Sequence, residues 1–287
     1  MNTPSKPESV LSVTDRGVDL SIPLRFDGPQ PNLYGVPAAS RSVLVTDGFT
    51  GSVAEGGSCN VDALRLIPHC NGTHTECVGH ITRERITLTE CWQPRLLRAV
   101  LISVRASADA SVSAAMVAEA AKPWLGGDSK LDDQGLGGDA IPEALIVRAL
   151  PKGADPFTTY GVSEQKPGNH STPGAILPPG TTSPSGPPPY FLPEATAWMR
   201  ANGVRHLLTD LPSLDPLDSA ELLAHRAFWG MAPGQSGQPD PRTQTVTEFI
   251  HVPGNLPDGP GILELHVAPF DLDAAPSRPV FHPSRTP

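Results

Sequence analysis

Apolar and polar positions in this chain fall into short blocks separated by turn residues. Residues 144–150 (ALIVRAL) form an almost continuous apolar run, the pattern of a strand buried on both faces. The run 96–104 has the same character, and a stretch of small residues, 105–121, follows it. Alternating or β-branched segments at 19–24, 42–46, 61–68, 204–209, 246–251 and 261–268 predict further strands. Two segments carry helical spacing. One is 193–202, with Pro193 near its start and Gly203 just past its end; the other is 219–230. Residues 1–16 are polar and predict a frayed segment, and the Gly- and Asp-rich stretch 126–139 predicts a loop. The stretch 151–189 is rich in Pro, Gly, Ser and Thr and reads as a linker or as a long loop crossing one domain. There is no internal repeat. Strands alternating with short helices point to an α/β or α+β domain with long connections.

Composition narrows this picture. At 287 residues the chain is long enough for one large domain or two small ones. Its 34 Pro and 27 Gly favour ordered loops over a helical bundle. A net charge of −9 argues against a nucleic-acid partner, which clustered Lys and Arg would meet. No run approaches the roughly 18 apolar residues of a membrane span. The first ten residues, MNTPSKPESV, lack the apolar core of a secretory signal, so the expectation is a cytoplasmic protein. Cys59, Cys70, Cys77 and Cys91 form no CxxC pair. They read as reduced thiols rather than a disulfide framework or a cysteine zinc site.

The chemistry concentrates in residues 69–80. Of the nine histidines, His69, His74 and His80 fall here, with Glu76 between them. Asn71-Gly72-Thr73 has turn composition. A strand beside such a turn can aim several imidazoles at one point, and His74 and Glu76, two apart, share a face of an extended chain. Imidazole nitrogen with carboxylate oxygen suits Zn²⁺ or Mn²⁺. The plainer alternative is a loop with three surface histidines.

The segment Gly72-Thr73-His74-x-Glu76-x-x-x-His80 resembles the HxGTHxDxPxH signature of the metal-dependent cyclase/kynurenine formamidase-like hydrolases. Asp19-Leu20-Ser21 is similar to that family's opening strand. Gly203-Val204 through Asp210-x-Pro212-Ser213-x-Asp215 resembles a further family segment, and 268–279 its C-terminal strand pair. The resemblance implies a single α/β domain over 1–287 of the swivelling β/β/α type, with mixed sheets and flanking helices. It implies one or two divalent ions, zinc or manganese, held by His69, His74, Glu76, His225 and Glu248. It further implies hydrolysis of an amide or cyclic amide of a small-molecule substrate, with His80 as general base, in a homodimer or homotetramer.

This sequence departs from the family pattern. Glu76 stands for the family's Asp and Val78 for its Pro, and four residues before His74 lies Cys70, with His69 one further back. Either a one-residue bulge lets His69 serve, or the Cys70 thiolate is the ligand. Residues 232–242 read as an insertion between His225 and Glu248.

Each candidate also has a structural reading. His80 could be a further ligand or a hydrogen-bonding side chain, His225 a core histidine on an amphipathic helix, and Glu248 a solvent-facing strand residue. Ser213 and Asp215 read as a turn and helix cap, and Trp198, Phe228 and Trp229 as core. Tyr34 could line a pocket. His170, His206, His251, His266 and His282 carry no motif. Two rivals to the hydrolase remain: a non-catalytic metal- or small-molecule-binding protein on the same fold, and an enzyme using Cys70 or Cys77 as nucleophile.

Overall fold

The computed structural model describes residues 16–124, 142–150, 157–160, 187–231 and 240–284. All but the last residue of the expected frayed segment 1–16, the loop 126–139, most of 151–189 and most of the insertion 232–242 lie outside them.

One mixed sheet organises the molecule. Its strands are β1 (Val18–Asp19), β2 (His74–Cys77), β3 (Leu96–Arg105), β4 (Ala144–Leu150), β5 (His206–Thr209), β6 (Thr245–Glu248), β7 (Gly259–Val267) and β8 (Ala274–Pro283). The four strands β3, β4, β5 and β6 lie side by side and parallel. β7 runs antiparallel to β3, and β8 antiparallel to β7. β2 is antiparallel to both β6 and β8. That double pairing closes the sheet into a ring of seven strands, with β1 added to the outer edge of β8.

The apolar pattern explains which strands are central. β4 has parallel neighbours on both sides and is buried along almost its whole length, as its continuous apolar run requires. Arg148 interrupts that run, and each of its three guanidinium nitrogens is paired. It donates to Ser103 Oγ (2.7 Å), to the Pro253 and Leu256 carbonyls (2.9 Å each) and to Asp258 (2.8 Å). A buried guanidinium is tolerated only with such partners.

Three helices flank the parallel strands: α3 (Ala114–Ala121), α4 (Pro193–Ala201) and α5 (Leu223–Phe228). α1 (Pro68–Asn71) and α2 (Leu88–Cys91) are single turns. α4 begins with Pro at its first turn, as its sequence predicts, and packs against α3 and α5. Phe228 and Trp229 are fully buried in one continuous core with Leu101, Leu145, Ile146 and Phe281, and Trp198 packs on its edge. Each such side chain contributes about 1.5–3 kcal/mol by leaving water.

Several expected elements differ in extent. The strand over 19–24 shrinks to β1, with a lone bridge from Ser21 to Ile250, and the strand over 42–46 breaks at Leu44 into Ser40–Val43 and Val45–Thr46. The strand over 61–68 is only Asp62–Arg65, is exposed on both faces, and pairs with Ser40–Val43 in a hairpin outside the ring. The helix over 219–230 starts at Leu223, because Leu222 takes the left-handed conformation (φ 51°) and Asp215 supplies the cap. The strand over 246–251 stops at Glu248, because Phe249 turns to φ 55°.

Candidate metal centre

The centre lies at the carboxyl end of the parallel strands, the end at which open α/β sheets bind ligands. Three pieces of local structure build it. In β2, His74 and Glu76 share one face, and Glu248 of β6 sits directly opposite His74. Thr75 faces the other way and bonds Thr247 at 2.8 Å. Thr73 locks the approach to β2: its hydroxyl accepts from Ile22 N–H (2.8 Å) and donates to the Phe249 carbonyl.

α1 supplies His69. Pro68 fixes its first turn, and Asn71 accepts from Ile67 N–H (2.6 Å) and donates to the Pro37 carbonyl (3.3 Å).

α5 supplies His225. Asp215 accepts from the N–H groups of Ala224 (2.7 Å) and His225 (3.1 Å), and from His225 Nδ1 at 2.6 Å. It is therefore both helix cap and orienting carboxylate.

The side chains converge. His225 Nε2 lies 3.1 Å from Glu76 Oε1 and 3.3 Å from Glu248 Oε1. His74 Nε2 is 3.5 Å from Glu248 Oε2 and 3.9 Å from Glu76 Oε2. Next to this buried set, Asp273 Oδ2 is 3.0 Å from His69 Nε2 and 3.5 Å from His80 Nδ1. The His69 and His80 rings stack with centroids 4.5 Å apart, and Glu76 Oε2 lies 3.5 Å and 3.8 Å from their nitrogens. Two trios thus have metal-ligating atoms in mutual reach: His74, Glu76 and Glu248, all buried, and His69, His80 and Asp273, partly exposed.

Electrostatics set the protonation states. Burial, then the neighbouring His69, pushes the His74 imidazole down to about 4. Its Nδ1–H donates to the Gly72 carbonyl (3.0 Å), which leaves Nε2 a lone-pair donor. Burial would lower His225, but Asp215, Glu248 and Glu76 hold it well above its ordinary value. Burial would raise Glu76, but the imidazoles of His80, His225 and His69 outweigh it and hold the carboxylate ionised. Burial and then Glu76 raise Glu248. The Glu76 charge raises His80, and the close approach of the His69 and His80 rings lowers Asp273.

A divalent cation fits this set. His69 Nε2, His74 Nε2, Glu76 Oε1 and His225 Nε2 are all buried without hydrogen-bond geometry to any partner. Orphaned buried polar atoms are rare and call for a ligand. Zinc bonds of about 2.0–2.2 Å at tetrahedral angles place donor atoms about 3.3–3.6 Å apart. The spacings here bracket that range.

The structure brings together His69, His74, Glu76, His80, His225 and Glu248. Cys70 turns away. It packs beside the small apolar cluster of Ile22, Leu33, Tyr160 and Phe249, and burial raises its thiol to about 11. Cys77 is buried, and its contact with Cys91 and then burial raise its thiol further. Sequence reasoning missed Asp273, although it lies inside the 268–279 segment that resembles the family's C-terminal strand pair. It read Asp215 as a cap without its second role.

The architecture is that of the cyclase-like α/β fold. A family model described as "Putative cyclase" matches residues 18–126, the stretch that contains the 69–80 cluster. The chain resembles that family. A structure described as a novel cyclase superposes with a TM-score of 0.56 at 13% identity, covering 96% of this chain and 93% of that one. Isatin hydrolase A from Labrenzia aggregata, bound to benzyl benzoate, gives 0.53 at 12% identity over 94% of both chains. A potential metal-dependent hydrolase with cyclase activity gives 0.53 at 12% identity, over 95% of this chain and 99% of that one. No curated protein matches. Among the described residues, no helix is long and apolar enough to cross a membrane.

Proposed function

We propose that the chain is a cyclase-family, metal-dependent hydrolase that opens the C–N bond of a small amide or cyclic amide, and that it works as a homodimer or homotetramer. The observation that carries this reading is the buried, inward-facing set of two imidazoles and two carboxylates, in which His74 Nε2, Glu76 Oε1 and His225 Nε2 are left without a hydrogen bond. His74, Glu76, His225 and Glu248 hold the cation, zinc or manganese. When bound, it lowers the pKa of a water toward neutrality and polarises a carbonyl.

The remaining steps belong to the protein. Gly72 and Asp215 tie up the Nδ1 atoms of His74 and His225 and so present both Nε2 atoms inward. His80, with Nδ1 turned to Asp273, uses Nε2 to take a proton from the attacking water. It returns that proton to the leaving nitrogen. The small aromatic cluster beside the centre supplies an apolar wall that limits water.

Elemental analysis before and after dialysis against chelator, combined with turnover of formanilide and isatin, tests the reading. One equivalent of metal and chelator-sensitive turnover are expected. Two equivalents would assign His69, His80 and Asp273 a second cation and take the base role from His80. Stoichiometric metal with no turnover of any amide or lactam would favour a binding protein. A folded protein that takes up no metal would overturn the proposal.

A further inference from the structure

Asp273 is delivered to the centre by a strap, 271–273, whose three successive carbonyls are all taken by the segment 77–88. The Asp271 carbonyl accepts from Arg85 Nη2 (2.7 Å), that of Leu272 from Leu88 N–H (2.8 Å) and that of Asp273 from Cys77 N–H (2.9 Å). The next residue, Ala274, opens β8 opposite Glu76. A backbone held at three successive points gives the Asp273 carboxylate a fixed origin. His80 lies in a single turn, Val78–Ile81, directly after β2. Gly79 lets this turn meet the strap. A Cβ there would run into the Ile86 carbonyl and come within 3.1 Å of Asp273 Cβ, so only glycine permits the approach.

At this junction one oxygen faces two rings. Asp273 Oδ2 lies 3.0 Å from His69 Nε2 and 3.5 Å from His80 Nδ1. The two rings stack, with centroids 4.5 Å and planes 29° apart. His80 Nδ1 has one other carboxylate near it, Glu76 Oε2 at 3.8 Å. In the hydrolase reading Glu76 is committed to the cation, so Asp273 is the acceptor that remains for Nδ1. A neutral imidazole carries one proton, and an acceptor at Nδ1 leaves Nε2 with the lone pair. His69 points its own Nε2 at the same two carboxylates, 3.0 Å from Asp273 and 3.5 Å from Glu76, and lays its ring against that of His80.

We propose that His69 and Asp273 form a clamp that positions His80. Asp273 selects the nitrogen that carries the proton, and His69 holds the plane of the ring. His69 is thereby a positioning residue, not the metal ligand that the family resemblance implies, and Asp273 is its partner in that task. This rests on the hydrolase reading, in which His80 Nε2 moves the proton, and adds what aims that atom.

The test uses the zinc-loaded full chain, formanilide as the substrate probe, and the variants Asp273→Asn, His69→Phe, His69→Ala and His80→Ala. Zinc per chain should match wild type in all of them. Asp273→Asn, which keeps the shape of the side chain, should lower kcat about 10-fold or more, the size of one lost contact to a charged group, with KM unchanged. In a His80→Ala background the same substitution should cost nothing further, because residues that act as a unit are not additive. His69→Phe keeps a flat ring against His80 and should retain more of kcat than His69→Ala. Imidazole nitrogen NMR should show His80 protonated on Nδ1 in wild type and on both nitrogens in Asp273→Asn. An unchanged kcat in Asp273→Asn, or an equal loss with and without His80, would overturn the clamp. Zinc lost from Asp273→Asn or His69→Phe would also overturn it, by making these residues ligands, and equal losses in His69→Phe and His69→Ala would end the stacking role. A zinc-loaded wild type that turns over neither formanilide nor isatin would overturn the hydrolase reading; the NMR comparison still decides the clamp, which mixed protonation of His80 in wild type would refute.

Discussion

Mild acid should loosen the ring at His206. This imidazole is 1% exposed at the start of β5, opposite Thr245 of β6. Its Nδ1 lies 2.9 Å from Thr245 Oγ1 and its Nε2 3.2 Å from Arg95 Nη2. A guanidinium only donates. Nε2 must therefore be the acceptor, and the proton sits on Nδ1, donated to Thr245. A second proton would replace the bond from Arg95 with two cations face to face. Burial first, then Arg95 and Arg205, push the pKa from 6.5 down to about 3.

The unfolded imidazole takes up a proton below about 6.5, whereas the folded one resists until about 3. The contribution to stability is complete above 6.5 and is lost progressively as pH falls through that window. Each pH unit costs about 1.4 kcal/mol, so acidifying from 6.5 to 5 costs about 2 kcal/mol. In a chain of this size that lowers Tm by about 4 °C. Other groups titrate over the same range, so the informative quantity is a difference between proteins. His206→Gln keeps an acceptor for Arg95 and a donor for Thr245 but cannot titrate. Circular-dichroism melts at pH 7.5 and 5.0 should show the variant losing about 4 °C less than wild type. Parallel losses would refute the argument.

Other expectations concern the centre itself. Glu76→Ala should purify without metal, because Glu76 stands among all four candidate imidazoles; unchanged stoichiometry would remove it from the ligand set. Asp215→Asn should weaken zinc affinity about 10–100-fold by freeing the His225 ring, which a competition titration with a fluorescent chelator would read. His80→Ala should retain metal and lose about 10²-fold or more in turnover; wild-type turnover would end its role as base. Iodoacetamide at pH 7.5 should leave activity intact, since Cys70 and Cys77 are both held as thiols; inactivation that chelators do not mimic would revive the cysteine enzyme.

Much of the centre is visible in residues 69–80, because a strand with period two necessarily places His74 and Glu76 on one side. The choice between His69 and Cys70 could not be made by counting along an extended chain. The segment is a helical turn, in which neighbours point about 100° apart. His69 therefore reaches the centre and Cys70 the apolar cluster. His225 and Glu248 had no local signature and emerged only through family resemblance, since their meeting depends on the parallel pairing of β5 with β6 and on the cap from Asp215. Asp273 lies inside the 268–279 segment that resembles the family, but nothing there marks its carboxylate as part of the centre. Its carboxylate is delivered by the turn into β8, and nothing local to 271–273 encodes which strand β8 will meet.

The double pairing of β2 bears on how the protein is made. β2 precedes β6 and β8 in the chain, so on the ribosome it waits as an unpaired strand while everything between Cys77 and Thr245 is synthesised. It gains its second neighbour only when Ala274 and the residues after it emerge. Until then a segment with bare backbone donors and acceptors is open to wrong partners, the hazard of any unpaired strand edge. Chains cut short before β8 should therefore aggregate rather than fold into a weakened barrel. The same strand that gathers the ligands leaves the nascent chain with an unpaired edge until the ring closes.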